Sequence, residues 1–142
     1  MAAVADEVLE RGTRAARPDQ AWDEQVGSLS RELRDAMLAY RDGAELVATV
    51  HAFGLGSRSP STRLATAIES AGFDEAFAQT AAMTVLHFTF GHVSDEQTQL
   101  QANSVGAIDA DPLTPSGAES FDLGLGLILD GIRQRQQVEV SR

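Results

Sequence analysis

Apolar residues recur along most of this chain at steps of three and four, as they do in helices with one buried face. Over residues 20–40 the series Trp22, Val26, Leu29, Leu33, Met37 and Tyr40 keeps that step, with Arg31, Glu32, Arg34 and Asp35 on the opposite side. Asp19 is placed to cap this helix, and Gly43 breaks the chain after it. Ser59 and Pro60 predict another start, a cap followed by proline at the first helical position, and Gly72 closes that helix after Leu64, Ala67, Ile68 and Ala71. Residues 73–97 form the longest run without a breaker. There Phe73, Phe77, Ala81 and Val85 follow one stripe, while Leu86, Phe88 and Phe90 make the middle apolar on nearly every side. Such a helix must be covered on more than one face. A last helix is expected over 119–136, and shorter ones over 2–11 and 45–53. In 45–53 the β-branched Val47, Thr49 and Val50 weaken a helix, but no second strand exists to pair with. The expectation is an all-α fold of about six helices in one domain, with a connecting helix and loop over 1–17 and a long loop over 102–118.

The last predicted helix carries Gly124, Gly126 and Gly131 among Leu123, Leu125, Leu127, Ile128, Leu129 and Ile132. Each glycine costs up to ~1 kcal/mol against alanine inside a helix, a cost tolerated where another helix approaches closely. Large apolar side chains on most of the circumference require cover on two sides. A second copy of the chain is the simplest cover, two helices from each subunit forming a four-helix bundle. A central core helix of a monomer is the alternative.

Composition narrows the function. The 142 residues are 43% hydrophobic, with no apolar run long enough for a membrane span and no signal-like N-terminus. No cysteine is present, which excludes thiol chemistry and makes the cytoplasm the default compartment. With 21 acidic against 11 basic residues the formal charge is −10, so these residues alone should not grip nucleic acid. Every basic residue is arginine, which fits the codon usage of a GC-rich genome.

Candidate chemistry is sparse. His51, His87 and His92 are the only histidines, and no HExxH spacing occurs. His87 and His92 are five residues apart, about 140° around a helix, so they cannot share one metal from it. His87, Gly91 and Asp95 recur at i, i+4, i+8 and leave a gap between two polar groups on one face. The Gly54-Leu55-Gly56-Ser57 loop has neither the lysine nor the preceding strand of a phosphate loop, and Ser57, Ser59 and Ser61 lack a nucleophile-elbow context. No catalytic residues, metal site or cofactor are expected.

Several blocks in order carry a resemblance: Trp22, then Tyr40-Arg41-Asp42-Gly43-Ala44, then Ala71-Gly72-Phe73, then His87-Phe88-Thr89-Phe90-Gly91, then Phe121 with Gly124-Leu125 and Ile128-Leu129-Asp130-Gly131-Ile132. Together they cover nearly the whole chain and resemble the C-terminal half of TetR-family transcriptional repressors, the tetracycline-repressor subgroup above all. The resemblance implies an all-α effector-binding domain that dimerises through two helices per subunit, at about 73–98 and 119–136 here. It implies an effector pocket among Trp22, Leu29, Leu33, Val47, His51, Met83, Leu86, His87 and Asp95. It also implies a homodimer interface of Phe77, Val85, Phe88, His92, Phe121, Gly124, Leu125, Ile128, Gly131 and Ile132.

Two departures shape the functional expectation. The family's helix-turn-helix is absent from this sequence, which opens on what resembles the connecting helix, so DNA would be reached only through a domain outside it. Leu29, Leu33 and Val47 stand where tetracycline-binding members carry an asparagine, a phenylalanine and a metal-binding histidine, and Asp95 stands where they carry a glutamate. A metal–tetracycline effector is therefore disfavoured, and a small, largely apolar molecule that relieves DNA binding is expected instead. The alternatives are a stand-alone relative that uses the pocket for binding or catalysis, and a dimerisation module with a filled core.

Overall fold

A computed structural model describes residues 20–41, 43–44, 47, 59–104, 106 and 117–140. Four helices run through them with no strand: α1 Trp22–Leu38, α2 Ser59–Glu69, α3 Glu75–Ser104 and α4 Gly117–Val140. The helices expected over 2–11 and 45–53, the Asp19 cap, His51 and most of the 102–118 loop lie outside the described residues. Gly43, Ala44 and Val47 have helical backbone.

α1 starts with Asp23 and Glu24 in its first turn, where carboxylates favour the positive helix end. Its residue before the first turn, Ala21, makes no side-chain cap. The predicted stripe is the buried one: Val26, Leu29, Leu33, Ala36 and Met37 face inward, joined by Ser30, whose hydroxyl donates to the Val26 carbonyl at 2.7 Å. α2 buries Pro60, Leu64, Ala67 and Ile68 and stops where Gly72 takes φ +99°, a left-handed conformation that suits glycine.

α3 starts two residues later than Phe73. The Asp74 carboxylate accepts the Phe77 amide at 2.7 Å and caps the helix, while Phe73 packs against Phe77 with ring centroids 4.5 Å apart. At 30 residues α3 is longer than expected and runs to Ser104. It packs against α1, α2 and α4, and α2 also packs on α1. Ala78, Ala82, Leu86, Phe90 and Val93 lie in the core. α4 extends past the expected 119–136 at both ends. Its buried stripe, Phe121, Leu125, Leu129 and Ile132, keeps helical spacing, and the Gln136 amide donates to the Ala71 carbonyl at 2.9 Å.

The end of α1 is tied to α3 by one buried side chain. Gln97 donates to the carbonyls of Met37 at 3.2 Å and Tyr40 at 2.8 Å, and accepts the Ala44 amide at 3.1 Å. The Met37 and Tyr40 carbonyls already accept the Tyr40 and Gly43 amides, at 3.2 and 3.1 Å, so Gln97 adds a second donor to each and supplies an acceptor for the buried Ala44 amide. Gly43 is required in the same turn, because a Cβ there would strike the Met37 carbonyl. Gln97→Leu removes three hydrogen bonds, leaves the Ala44 amide without this acceptor, and should cost about 1–3 kcal/mol. Urea unfolding would show this as a lowered midpoint at unchanged slope. A midpoint equal to the wild type would mean that Gln97 ties nothing.

Candidate functional site

The residues expected around an effector separate into an interior set and a surface set. Leu29, Leu33, Val47 and Leu86 lie together in the main core cluster, contributed by α1, the segment after it and α3. Trp22 is half-buried at the start of α1, edge-on to Phe73 at 6.5 Å. Met83 is half-buried in a groove of about 420 Å³ between α2 and α3, with Ser61, Thr66 and Gln79 among its walls. His87 is exposed in a shallow cleft of about 350 Å³ with Gln79, Thr80 and Thr84. Asp95 is exposed further along the same side of α3. Among the described residues no three His, Asp or Glu side chains come close enough to hold a metal ion.

The second histidine sits where α1, α3 and α4 meet. His92 Nδ1 lies 3.1 Å from Glu96 and its Nε2 3.3 Å from the Ser120 hydroxyl in the first turn of α4. Arg34 donates to both oxygens of Glu96, at 2.8 and 2.5 Å, from α1. The Arg34 and Glu96 side chains are only 14% and 12% exposed. Burial pushes the Glu96 carboxyl up, but the hydrogen bonds and charges of Arg34 and His92 outweigh it and hold it below the ordinary carboxylate value. Gly117 seats the end of α4 on this cluster, since a side chain there would occupy the space of the Glu96 carboxylate. Phe121 lies within the same group, 5.4 Å from both Phe88 and His92, with the Arg34 guanidinium 5.6 Å from its ring centre. Phe88 lies against Gly124, where a Cβ would come within 2.5 Å of the ring. Two further ion pairs join α4 to α1: Arg31 with Asp122 at 2.9 Å and Arg133 with Asp23 at 2.8 Å. The hydrogen bond from Arg133 holds the Asp23 carboxyl below its usual value.

The expected dimer face is sorted in the same way. Val85, Phe121, Leu125 and Ile132 are buried inside the subunit, so their surface is already spent on the α3–α4 contact. Phe77, Phe88, His92, Gly124 and Ile128 are half-buried, and Gly131 is open. The outward leucines are two that the residue-level expectation omits: Leu123 and Leu127, 67% and 75% exposed. They lie one turn apart on the side of α4 opposite Leu125 and Leu129. Beside them runs an apolar groove of about 420 Å³ between Phe77, Thr80 and Thr84 of α3 and Ile128 and Gly131 of α4. On α3 the adjoining exposed stripe is Thr80, Thr84, His87 and Gly91. The legible signal for this face was the excess of leucine around α4. Which leucines face out follows from where Phe121 docks.

Residues 15–118 match the family model described as the tetracyclin repressor-like C-terminal domain. The chain is 32% identical to the class A tetracycline repressor protein from transposon 1721 of Escherichia coli, over 86% of this chain and 62% of that protein. It thus spans less than two thirds of that relative's length. Among solved structures it resembles Mycobacterium smegmatis BioQ, with 38% identity and a TM-score of 0.83 over 92% of this chain and 70% of that one. BioQ bound to its natural double-stranded DNA operator gives 34% identity and a TM-score of 0.75, over 92% and 69% of the two chains. A single-substitution variant of TetR from Acinetobacter baumannii AYE, in complex with minocycline, gives 25% identity and a TM-score of 0.69, over 94% and 70%.

The α1–α3–α4 junction makes stability pH-dependent. Glu96 and Asp23 both ionise more readily in the folded chain than in the unfolded one. Their contribution is therefore complete above the ordinary carboxylate range and is lost as pH falls through their depressed folded values, below about pH 5. Glu96→Gln should be less stable than wild type at pH 7 and lose less on acidification. Parallel acid limbs in denaturant titrations of the two proteins would refute this role for Glu96.

Proposed function

We propose, for a chain that belongs to the tetracyclin repressor-like C-terminal domain family, that it senses a small, largely apolar molecule and dimerises a transcriptional repressor. Binding of that molecule relieves DNA binding by a domain outside these residues, whose contacts this acidic chain would not itself make. One observation carries the reading: α4 has leucines on two opposite faces, one docked on α3 and one facing outward. Outward leucines beside an apolar groove are what a two-fold bundle of α3 and α4 would cover.

The interior set fits an apolar effector, because Leu29, Leu33, Val47 and Leu86 offer no hydrogen-bonding side chain. α1 touches both halves of the proposed function. Its inner side carries Leu29 and Leu33, and its other side meets α4 through the ion pairs of Asp23 and Arg31 and through Arg34 over the Phe121 ring. A molecule favouring one position of α1 would therefore bias α4, and with it the relation between two subunits. Such coupling requires different affinities for two conformations.

Sedimentation of the wild type should show a dimer at micromolar concentration, and Leu123→Asp/Leu127→Asp should sediment as a folded monomer with unchanged helical circular dichroism. A wild-type monomer, or an undisturbed dimer in the double variant, would remove this interface. Screening neutral apolar compounds by thermal shift addresses the pocket: at a hundredfold excess over Kd a ligand adds about 2.7 kcal/mol. A filled core would give no response to any of them.

A further inference from the structure

The seam between α3 and α4 is closed at one end and hollow at the other. The two helices run antiparallel, with Glu96 beside Gly117, His92 beside Ser120 and Phe88 beside Gly124. At that end the Phe88 ring lies against the Gly124 backbone and stacks on Phe121 with centroids 5.4 Å apart, which fills the space between the helices. Further along α4 the seam opens into the apolar groove of about 420 Å³, with Thr80 and Thr84 on one wall and Ile128 and Gly131 on the other. A Cβ added at Gly131 would meet nothing within 4 Å, so the hollow continues over bare backbone. Leu123, 67% exposed, projects beside the filled end. One face of the subunit therefore carries an apolar projection and an apolar recess, eight positions apart on a single helix.

We infer that the second copy is related by a two-fold axis passing at Leu127, so that Leu123 of each subunit enters the groove over Gly131 of the other. The inference rests on the dimer proposed above and gives its register. In a two-fold contact, if residue i touches j then j touches i, so a projection at 123 and a recess at 131 place the axis midway between them. Leu127, 75% exposed, stands at that midpoint and meets its own copy, with the two α4 helices crossing antiparallel. The same axis brings Arg135, at the far end of the groove, level with Glu119 of the other copy. Opposite charges then face each other at both ends of the contact, which favours this register between chains that each carry a formal charge of −10. Glycine weakens a helix interior, and no described part of its own subunit requires one at 131. The incoming leucine does.

The chain has no cysteine, so introduced ones report contacts without background. Under mild oxidation Leu127→Cys should form a disulfide-linked dimer, and so should Leu123→Cys and Gly131→Cys chains refolded together. Leu123→Cys alone should not link, because its own copy stands about 12 Å away along the helix, beyond the roughly 7 Å between Cα atoms that a disulfide spans. Gly131→Leu fills the recess and should weaken dimerisation at least about 10-fold in sedimentation, with unchanged helical circular dichroism. In a chain that sediments as a dimer, self-linking of Leu123→Cys would mean an axis parallel to α4 and overturn the register. Failure of the mixed pair to link, or undiminished affinity in Gly131→Leu, would overturn it too, and each of these results leaves the dimer standing. A wild-type monomer would overturn both.

Discussion

The structure depends on one constraint: over residues 78–93 α3 carries apolar side chains toward α1, α2 and α4 at once. A stretch of this kind is unstable until each of those sides is covered. α1 and α2 cover Ala82, Leu86, Phe90 and Val93, and α4 covers the side of Phe88 with Phe121. What remains open along the middle of the helix is Thr80, Thr84, His87 and Gly91, with Gln79 beside them and Ser94 and Asp95 further on.

Polar groups then decide how the covering helices are aligned. Gln97 fixes the end of α1 through three hydrogen bonds, and Glu96, one position earlier, holds α1 through Arg34 and seats the start of α4 through the bare backbone at Gly117. Apolar packing alone would allow α1 and α4 to slide along α3, because neighbouring turns of the same ridge offer similar contacts. Two adjacent polar side chains on α3 remove that freedom. They differ in chemistry: the amide tie is insensitive to acid, whereas the carboxylate tie weakens with protonation.

The fold is legible in the chain wherever periodicity is strong. Both long amphipathic runs, the Gly72 stop and the two-sided character of α4 follow from residue spacing. Side-chain roles are less legible because a helix wheel gives angles but no docking partner. His87 and His92 illustrate this: the first borders a shallow open cleft, and the second lies between α3 and α4 beside Glu96. Spacing gives the roughly 140° between them, but which one faces inward depends on where Phe121 stacks, a contact 33 residues away in sequence from Phe88. Gln97 carries no sequence signal at all, because nothing local distinguishes a buried glutamine from a solvated one. Its partners, Met37, Tyr40 and Ala44, are distant in sequence.

The attachments of α1 to its two neighbours are unequal. Arg34 and Glu96, which tie it to α3, are shielded from water and doubly bonded, so that contact resists displacement. Arg31 and Asp122 are 54% and 53% exposed, a setting in which an ion pair contributes little. The Arg133–Asp23 pair, further along α4, is also partly solvated. A close-packed interior cannot absorb an added molecule without moving something. α1 is therefore fixed on α3 by a buried, doubly bonded pair and clasped to α4 by solvated ones, so its contact with α4 is the one of the two that yields at least cost.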